Sequence, residues 1–354
     1  MRTFKTFLVV VLVLACSSML ASQDYGKLSK YISQATGDYV GSAACGICHV
    51  QTHDWWFGSG HAHKLRDAEE ARGAGVPPPD SVSWDDIKWV IGGFNWKARF
   101  VGNDGYIITK GGMNQFNLAN RGWTDYHPDE TKKYDCGPCH MTNYKETGRQ
   151  EFLPGVVGRW TFPSVHCEEC HGPGKQHILT GGSPAEVTVN KSSAGCGKCH
   201  FRTDPAIIPA SGGFIKHHEQ YNEILKSNHG TQLNCVTCHD PHKTGSSSIK
   251  ITCADCHADV AGVYEGSSMG QSGVTCEDCH MPLMTKSAIS LKKWVGDVKT
   301  HMFKINLNAG AKPFTSDGTE AKGYVTSEFA CLVCHYDRDK SWAAGYKGVI
   351  HGLR

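Results

Sequence analysis

This chain of 354 residues lacks the long apolar segments and the strong charge bias that would place it in several common classes of protein. The apolar run at residues 7–15 is too short to span a membrane, and no other segment is long and apolar enough to do so. The formal net charge is only +2 and no basic patch is present, so nucleic acid is not an expected partner. Periodic apolar patterns are sparse beside 40 glycines and 14 prolines, so the chain has little means of building a core unaided.

Cysteine is abundant and its arrangement is regular. Of 17 cysteines, all but Cys16 belong to eight copies of the pattern Cys-x-x-Cys-His. The copies, numbered 1 to 8 along the chain, begin at Cys45, Cys136, Cys167, Cys196, Cys235, Cys253, Cys276 and Cys331 and have their second cysteines at Cys48, Cys139, Cys170, Cys199, Cys238, Cys256, Cys279 and Cys334.

This pattern is typical of covalent c-type haem. Two thiols three residues apart reach the two vinyl groups of one porphyrin, and the adjacent histidine ligates the iron from below. Zinc sites and thiol redox motifs also use paired cysteines, but neither requires a histidine directly after the second one. A disulfide framework would leave every one of these histidines without a role. The sequence therefore predicts eight covalently attached haem c groups, with proximal iron ligands His49, His140, His171, His200, His239, His257, His280 and His335.

The first residues predict export. Arg2 and Lys5 precede the apolar run and small residues follow it, which is typical of a signal peptide at residues 1–21. We therefore expect a periplasmic, cell-surface or extracellular protein. Val13-Leu14-Ala15-Cys16 also resembles a bacterial lipobox, so a lipid anchor at Cys16 is the alternative to cleavage near Ala21.

The spacing of the motifs predicts the organisation of the rest. Residues 22–135 form an N-terminal haem 1 segment with a β-rich insertion, where Asn103-Asp104-Gly105 marks a hairpin, and residues 136–354 form a haem-dense region. With about 40 residues per haem, the macrocycles must supply much of the core. We expect a mainly α fold with extensive loops and a small β-hairpin region, built around stacked haems; Glu219 to Lys226 is one expected helix.

Twelve histidines remain after the proximal eight, enough to give every iron a second histidine. His61 and His63 are two residues apart and His217 and His218 are adjacent, so only one of each pair is expected to ligate. His53 and His166 lie beside proximal motifs and are expected to pack. The predicted distal ligands are His61, His177, His218, His229, His242, His301 and His351, with His127 the eighth candidate.

Several segments resemble multihaem cytochromes of the cytochrome c554 type. The resemblance rests on Tyr39-Val40-Gly41-Ser42, Trp55-Trp56, Ser59-Gly60-His61, Cys170-His171-Gly172-Pro173-Gly174, Cys238-His239-Asp240-Pro241-His242 and Cys279-His280-Met281-Pro282. It implies distal roles for His61, His177 and His242. Related octahaem nitrite reductases carry one attachment motif that ends in lysine, whereas all eight motifs here end in histidine.

These features favour an electron-transfer protein with low-potential haems, acting in anaerobic respiration, and no catalytic residue is predicted. Its expected partners are a membrane quinol oxidase or other cytochromes, and a terminal reductase or an extracellular acceptor. One alternative is an oxidoreductase that acts on nitrite, hydroxylamine or tetrathionate at one open haem. Another is a subunit of an extracellular cytochrome filament.

Haem number is directly measurable. We expect the intact mass of the purified protein to exceed that of the polypeptide by eight iron porphyrins, because every motif carries both thiols and the ligand. A Cys235→Ser/Cys238→Ser variant should carry seven. A mass without these increments would contradict the haem interpretation.

Overall fold

A computed structural model describes residues 29–202 and 204–351 of the chain. The predicted signal peptide and the predicted lipid anchor at Cys16 lie outside these residues. Within them, no helix has the length and apolar character needed to cross a bilayer.

The helices are short, and the longest, α3 and α11, have only eight residues. Few segments offer the sustained apolar face that would stabilise a longer helix. The first helix, α1, covers residues 29–33. The others are α2 Ser42–Gly46, α3 Val50–Phe57, α4 Ala68–Gly73, α5 Gly137–His140, α6 Cys167–His171, α7 Lys175–Leu179, α8 Ser193–Gly197, α9 Gln220–Leu225, α10 Cys235–Cys238, α11 Ala258–Glu265, α12 Ser268–Gln271, α13 Cys276–His280, α14 Ser327–Ala330 and α15 Lys340–Ala344. Single 3₁₀ turns lie at Trp84–Asp86, Gln150–Phe152, Pro184–Glu186, Asn228–Thr231, Gly245–Ser248 and Cys253–Asp255.

The attachment motifs are built on helical turns. The amide of His49 donates to the carbonyl of Cys45 at 2.9 Å, and His257 and His335 make the same bond, each at 2.9 Å, to the first cysteines of their motifs. On such a turn, residues i, i+3 and i+4 share one face. The two thiols and the imidazole of each motif therefore point to the same side, as attachment to one porphyrin requires.

The extended structure is concentrated between motifs 1 and 2. The largest sheet has strand order β1-β2-β3-β4-β7, and β5 pairs with β3 and β6. Its strands are β1 Leu65–Asp67, β2 Ile87–Gly92, β3 Lys97–Gly102, β4 Tyr106–Ile107, β5 Gln115–Asn117, β6 Gly122–Thr124 and β7 Lys132–Lys133. Smaller sheets join β8 Met141–Thr142 with β9 Phe162–Pro163, β10 Ala210–Ser211 with β11 Phe214–Lys216 and β12 Thr285–Lys286, and β13 Ile305–Asn306 with β14 Val325–Thr326.

Two apolar clusters form the protein's own core. The sheet cluster comprises Ala71, Val76, Ile87, Val90, Ala98, Phe100 and Phe116. The second cluster comprises Ile208, Phe214, Ile215, Met284, Met302, Val325, Phe329 and Ala330. The sheet cluster includes no residue of an attachment motif, so this part of the core is independent of a bound macrocycle.

The chain forms two compact units. The first unit comprises described residues 29–66, Lys133–Asn190 and His242–Thr244, and the second comprises Asp67–Lys132, Lys191–Pro241 and described residues 245–351. Motifs 1 to 3 belong to the first unit and motifs 4 to 8 to the second. The predicted division at residues 135 and 136 stays a prediction.

The hairpin is confirmed. β3 and β4 are antiparallel, with Val101 opposite Ile107, and the turn between them places Gly105 at φ +84°, where glycine is favoured. The predicted helix at Glu219 to Lys226 is present as α9. A mainly α fold is not confirmed, because the helices are short and the described residues also form the sheets above.

Truncation of the sheet cluster tests this core. Phe100 is fully buried, so Phe100→Ala should lower the free energy of unfolding by about 3–5 kcal/mol. Phe152 is 93% exposed, and Phe152→Ala serves as the matched control with an expected change within about 0.5 kcal/mol. Calorimetry gives both values, and equal effects would contradict this description of the core.

Candidate haem-binding sites

Six of the eight proximal histidines face a second histidine within their own unit. In the first unit, the ring centroids are 6.2 Å apart for His49 and His177 and 6.2 Å apart for His171 and His242. In the second unit, the separations are 6.2 Å for His200–His218, 6.0 Å for His257–His229, 6.0 Å for His239–His301 and 5.7 Å for His280–His351.

These separations match two imidazoles on opposite sides of one metal ion. A metal–histidine bond is about 2 Å long and the ring centroid lies about 1.1 Å behind the ligating nitrogen, so two such ligands place their centroids about 6.2 Å apart. Stacked rings in van der Waals contact would lie much closer, at about 3.5–4 Å. The rings of His171 and His242 are nearly parallel, with an interplanar angle of 4°, and are too far apart for face-to-face contact. Rotation about the metal–nitrogen axis is free, which accounts for the range of interplanar angles up to 87°.

Hydrogen bonds at the other ring nitrogen orient several of these imidazoles. Nδ1 of His171 lies 2.8 Å from the carbonyl oxygen of Thr188. Nδ1 of His177 lies 2.9 Å from the carbonyl oxygen of Ser183, and Nδ1 of His280 lies 2.6 Å from that of Phe303. A carbonyl only accepts, so Nδ1 carries the proton in each case and the lone pair is on Nε2. These three rings are held in the tautomer that presents Nε2 to an iron.

Burial favours the ligand form elsewhere. Burial lowers the pKa of His301 to about 4 and also lowers the pKa of His229, His239 and His351. A lowered pKa keeps an imidazole neutral near pH 7, and only the neutral ring has a free lone pair for a metal. These rings are therefore ready to ligate without losing a proton.

A buried carboxylate positions the segment that carries His301. Glu223 on α9 is fully buried; its Oε2 accepts from the Thr300 hydroxyl at 2.8 Å and from the amide of His301. Burial raises the pKa of Glu223 to about 7. The sequence indicated α9 as a helix but gave no sign of this contact, because its partners are 77 and 78 residues away.

Serine residues join two pairs of motifs in the same way. The amide of Cys167 donates to the hydroxyl of Ser42, three residues before Cys45, at 3.1 Å. The amide of Cys235 likewise donates to the hydroxyl of Ser193, three residues before Cys196, at 3.1 Å. In both pairs the first cysteines of the two motifs are close neighbours, since each shifts the pKa of the other's thiol. Motifs 1 and 3, and motifs 4 and 5, are thus adjacent.

The surplus histidines have other contacts. Nε2 of His63 lies 2.8 Å from the carbonyl of Phe57. The ring of His53 is tilted against that of Trp56 with centroids 5.4 Å apart, and the ring of His166 lies 5.2 Å from that of Phe162. The ring of His217 lies 3.0 Å from Arg202 Nη2. These contacts agree with the roles outside the ligand set that the sequence predicted for them.

His127, the eighth distal candidate, is not brought to a proximal histidine. It lies in a left-handed turn with φ +48°, and its Nδ1 is 2.8 Å from Oε2 of Glu130. Within the described residues, its ring contact is with Tyr126. His127 interacts within its own turn, and the geometry gives no support to its assignment as a ligand.

The proximal histidines of motifs 2 and 8 are not part of these six pairs. His140 ends α5 in the first unit, where His61 lies in the turn after α3 with its carbonyl accepting from Val165 at 3.0 Å. His335 in the second unit packs against Trp342, with ring centroids 4.8 Å apart, and no histidine of the described chain faces it.

Comparison with known proteins identifies the class. A family model described as cytochrome c554 and c-prime matches residues 112–172. The dissimilatory sulfite reductase MccA of Wolinella succinogenes is 24% identical over 297 residues, which cover 62% of this chain and 41% of the relative. The multihaem cytochrome MtrA of Shewanella baltica is 25% identical over 177 residues, covering 41% and 51%. The chain thus spans about half or less of the length of these relatives.

Solved structures share the fold. The outer cell wall cytochrome OcwA superposes with a TM-score of 0.62 at 18% identity, covering 87% of this chain and 86% of that one. The octahaem sulfite reductase MccA superposes with a TM-score of 0.61 at 19% identity, covering 83% and 65%. The chain is a multihaem c-type cytochrome. These similarities support covalently bound haem c as its cofactor.

Replacement of one facing histidine tests the pairing. His177→Met should raise the reduction potential of a single haem by on the order of 100 mV, since axial ligands set potentials over a range of about 0.8 V. His53→Gln, which alters a histidine of the same unit that faces no proximal ring among the described residues, is the matched control. Spectroelectrochemical titration separates them, and equal titration curves would show that His177 is not a ligand.

Proposed function

We propose that this protein is an octahaem electron carrier in which pairs of histidines hold low-potential haems. The observation that carries the proposal is the iron-wide separation of six histidine pairs. Bound haem supplies one-electron carriers, and the chain's own residues set their ligands and their order. Bis-histidine ligation gives lower potentials than ligation by histidine and methionine, which is appropriate to anaerobic respiration.

The ligand assignments follow the geometry. All eight motifs supply their cysteines and proximal histidines, and the distal ligands of six haems are the facing histidines. For haem 2 we assign His61 to His140, because His53, His63 and His166 of the same unit are engaged in the packing contacts described above. Seven of the eight haems would then have one distal histidine each. These ligands are His61, His177, His218, His229, His242, His301 and His351.

Contacts between motifs support one order of haems in the second unit. The first cysteines of motifs 4 and 5 are close neighbours, as are those of motifs 6 and 7. Cys238 of motif 5 lies close enough to Cys256 of motif 6 for their charges to interact, and Cys279 of motif 7 has the same relation to Cys331 and Cys334 of motif 8. Each cysteine would carry the edge of its own porphyrin, so adjacent cysteines would bring porphyrin edges together. The resulting order is 4-5-6-7-8.

The first unit contributes a pair of the same construction. The first cysteines of motifs 1 and 3 are close neighbours, and Ser42 supplies the contact that Ser193 supplies in the second unit. The same serine and thiol contacts therefore serve in both units to bring two haems together. This repeated construction favours a carrier, because exchange between neighbouring haems needs proximity and no substrate pocket.

Partners and location are part of the proposal. We propose a membrane quinol oxidase or another cytochrome as donor and a terminal reductase or an extracellular acceptor as the destination. Export agrees with haem attachment outside the cytoplasm and with the relative named as an outer cell wall cytochrome. The lipid anchor at Cys16 receives no support from the relatives, and a filament subunit remains the less favoured alternative.

A second function is favoured by one observation. His335 faces no histidine of the described chain, so haem 8 differs from the others in its ligands. A relative similar to this chain is named a dissimilatory sulfite reductase. The alternative is therefore an oxidoreductase that acts on a small nitrogen or sulfur species at haem 8.

Interruption of the series tests the electron-carrier function. His229→Met should raise the potential of haem 6, in the middle of the series, and so retain electrons there. After pulsed reduction, we expect redistribution of electrons among the haems to slow by about tenfold or more. A rise of about 60–80 mV in the potential of haem 6 stabilises an electron there by about 1.4–1.8 kcal/mol.

His217→Gln is the matched control, because His217 faces Arg202 and His218 rather than an iron-wide gap. Transient absorption measures both variants against the unaltered protein. Redistribution in His229→Met at the unaltered rate would contradict the proposed order.

A further inference from the structure

Motif 8 is the exception within the second unit. The other four proximal histidines of this unit, His200, His239, His257 and His280, each face a histidine at 5.7–6.2 Å. All 20 histidines of the sequence lie within the described residues. The aromatic ring that contacts His335 in this part of the chain is that of Trp342. Among the described residues of the second unit, no histidine therefore faces His335 as a sixth ligand of haem 8.

Trp342 does not occupy the position of a sixth ligand. Its ring centroid lies 4.8 Å from that of His335, which is closer than the roughly 6 Å that two groups on opposite sides of an iron must keep. Its backbone amide donates to Oδ1 of Asp339 at 2.8 Å, and its ring packs on Tyr346 at 4.9 Å. Trp342 is thus fixed beside the proximal imidazole, and an indole has no basic lone pair to offer a metal.

Other donors near motif 8 are already engaged. The ammonium of Lys292 donates to the carbonyl of Val333 at 3.1 Å. The ammonium of Lys340 pairs with Glu328 and donates to the carbonyl of Ala311 at 3.3 Å. Met284 and Met302 are fully buried in the second apolar cluster.

The residues that follow motif 8 face solvent. Tyr336 is 88% exposed, and the side chain of Arg338 is 54% exposed beside Asp337. This side of the motif therefore leaves room for a small solute. Its neighbour is motif 7, through Cys279, so the exposed motif is also the last of the series in the second unit.

We propose that the iron held by Cys331, Cys334 and His335 takes its sixth ligand from solution. The ligand class is a small inorganic donor with a lone pair on carbon, nitrogen or sulfur, such as cyanide, nitrite or sulfite. The inference rests on the proposed octahaem carrier and adds the one position at which a solute can bind iron.

The first experiment measures spin state and ligand binding in the holoprotein. We expect the ferric protein to show one high-spin haem among eight by electron paramagnetic resonance, and cyanide to convert it to low spin with a stoichiometry of one per chain. An entirely low-spin protein without added ligand overturns the inference. Low spin that appears only as protein concentration rises also overturns it, because a second copy of the chain would then supply the ligand.

A pair of variants locates the binding haem. Cys331→Ser/Cys334→Ser removes haem 8 and should abolish both the high-spin signal and cyanide binding, while the matched Cys253→Ser/Cys256→Ser variant, which lacks haem 6, keeps both. If the first variant is not recovered folded, Trp342→Phe provides the second approach: it keeps attachment and should shift the high-spin signal alone. A signal that persists without haem 8, or that Trp342→Phe leaves unshifted, overturns the assignment.

Failure of the octahaem carrier and failure of the binding site at His335 give different results. Intact mass of the same sample reports whether eight haems are attached. A mass with fewer haems would overturn the octahaem carrier itself, whereas eight haems that are all low-spin would leave the carrier intact and reject only the binding site at His335.

Discussion

The structure depends on pairs of imidazoles held one metal ion apart. Six pairs keep a separation of 5.7–6.2 Å, which fits one iron held between two imidazole nitrogens. Other features serve this spacing: helical turns put thiols and imidazole on one face, and backbone carbonyls fix the tautomer. Short helices and irregular connections suffice because the ligands themselves tie distant segments together.

The protein's own core is correspondingly limited. One apolar cluster supports the sheet between motifs 1 and 2, and the other lies around β11 and α14. Neither contains a proximal or distal histidine. Folding of the remaining segments is therefore expected to depend on attachment, as it does in small metal-binding domains that are unfolded without their ion.

The attachment sites could be predicted from the sequence because their chemistry is local: two thiols and a ligand must share one helical turn. The partners of these ligands could not. His49 and His177 are far apart in sequence, as are His239 and His301, and only the complete fold brings them together. Spacing and motif context still selected six histidines that face a proximal ring. His127 shows the limit of that reasoning, since its local turn with Glu130 was not legible in the sequence.

The distinction between local contacts and contacts between distant segments also explains which features the sequence did not predict. The β-hairpin was predictable because Asn103-Asp104-Gly105 specifies its own turn, and Gly105 adopts the positive φ that such turns require. The buried Glu223 and the serines that join pairs of motifs were not, because their partners come from other parts of the chain. The absence of a histidine opposite His335 also emerges only when every other histidine has been placed.

Iron positions in the holoprotein test the central claim most directly. In an anomalous-diffraction map, we expect an iron between the rings of each of the six pairs, about 3 Å from both ring centroids. Irons that lie beside the proximal histidines but away from His177, His242, His218, His229, His301 and His351 would contradict the account.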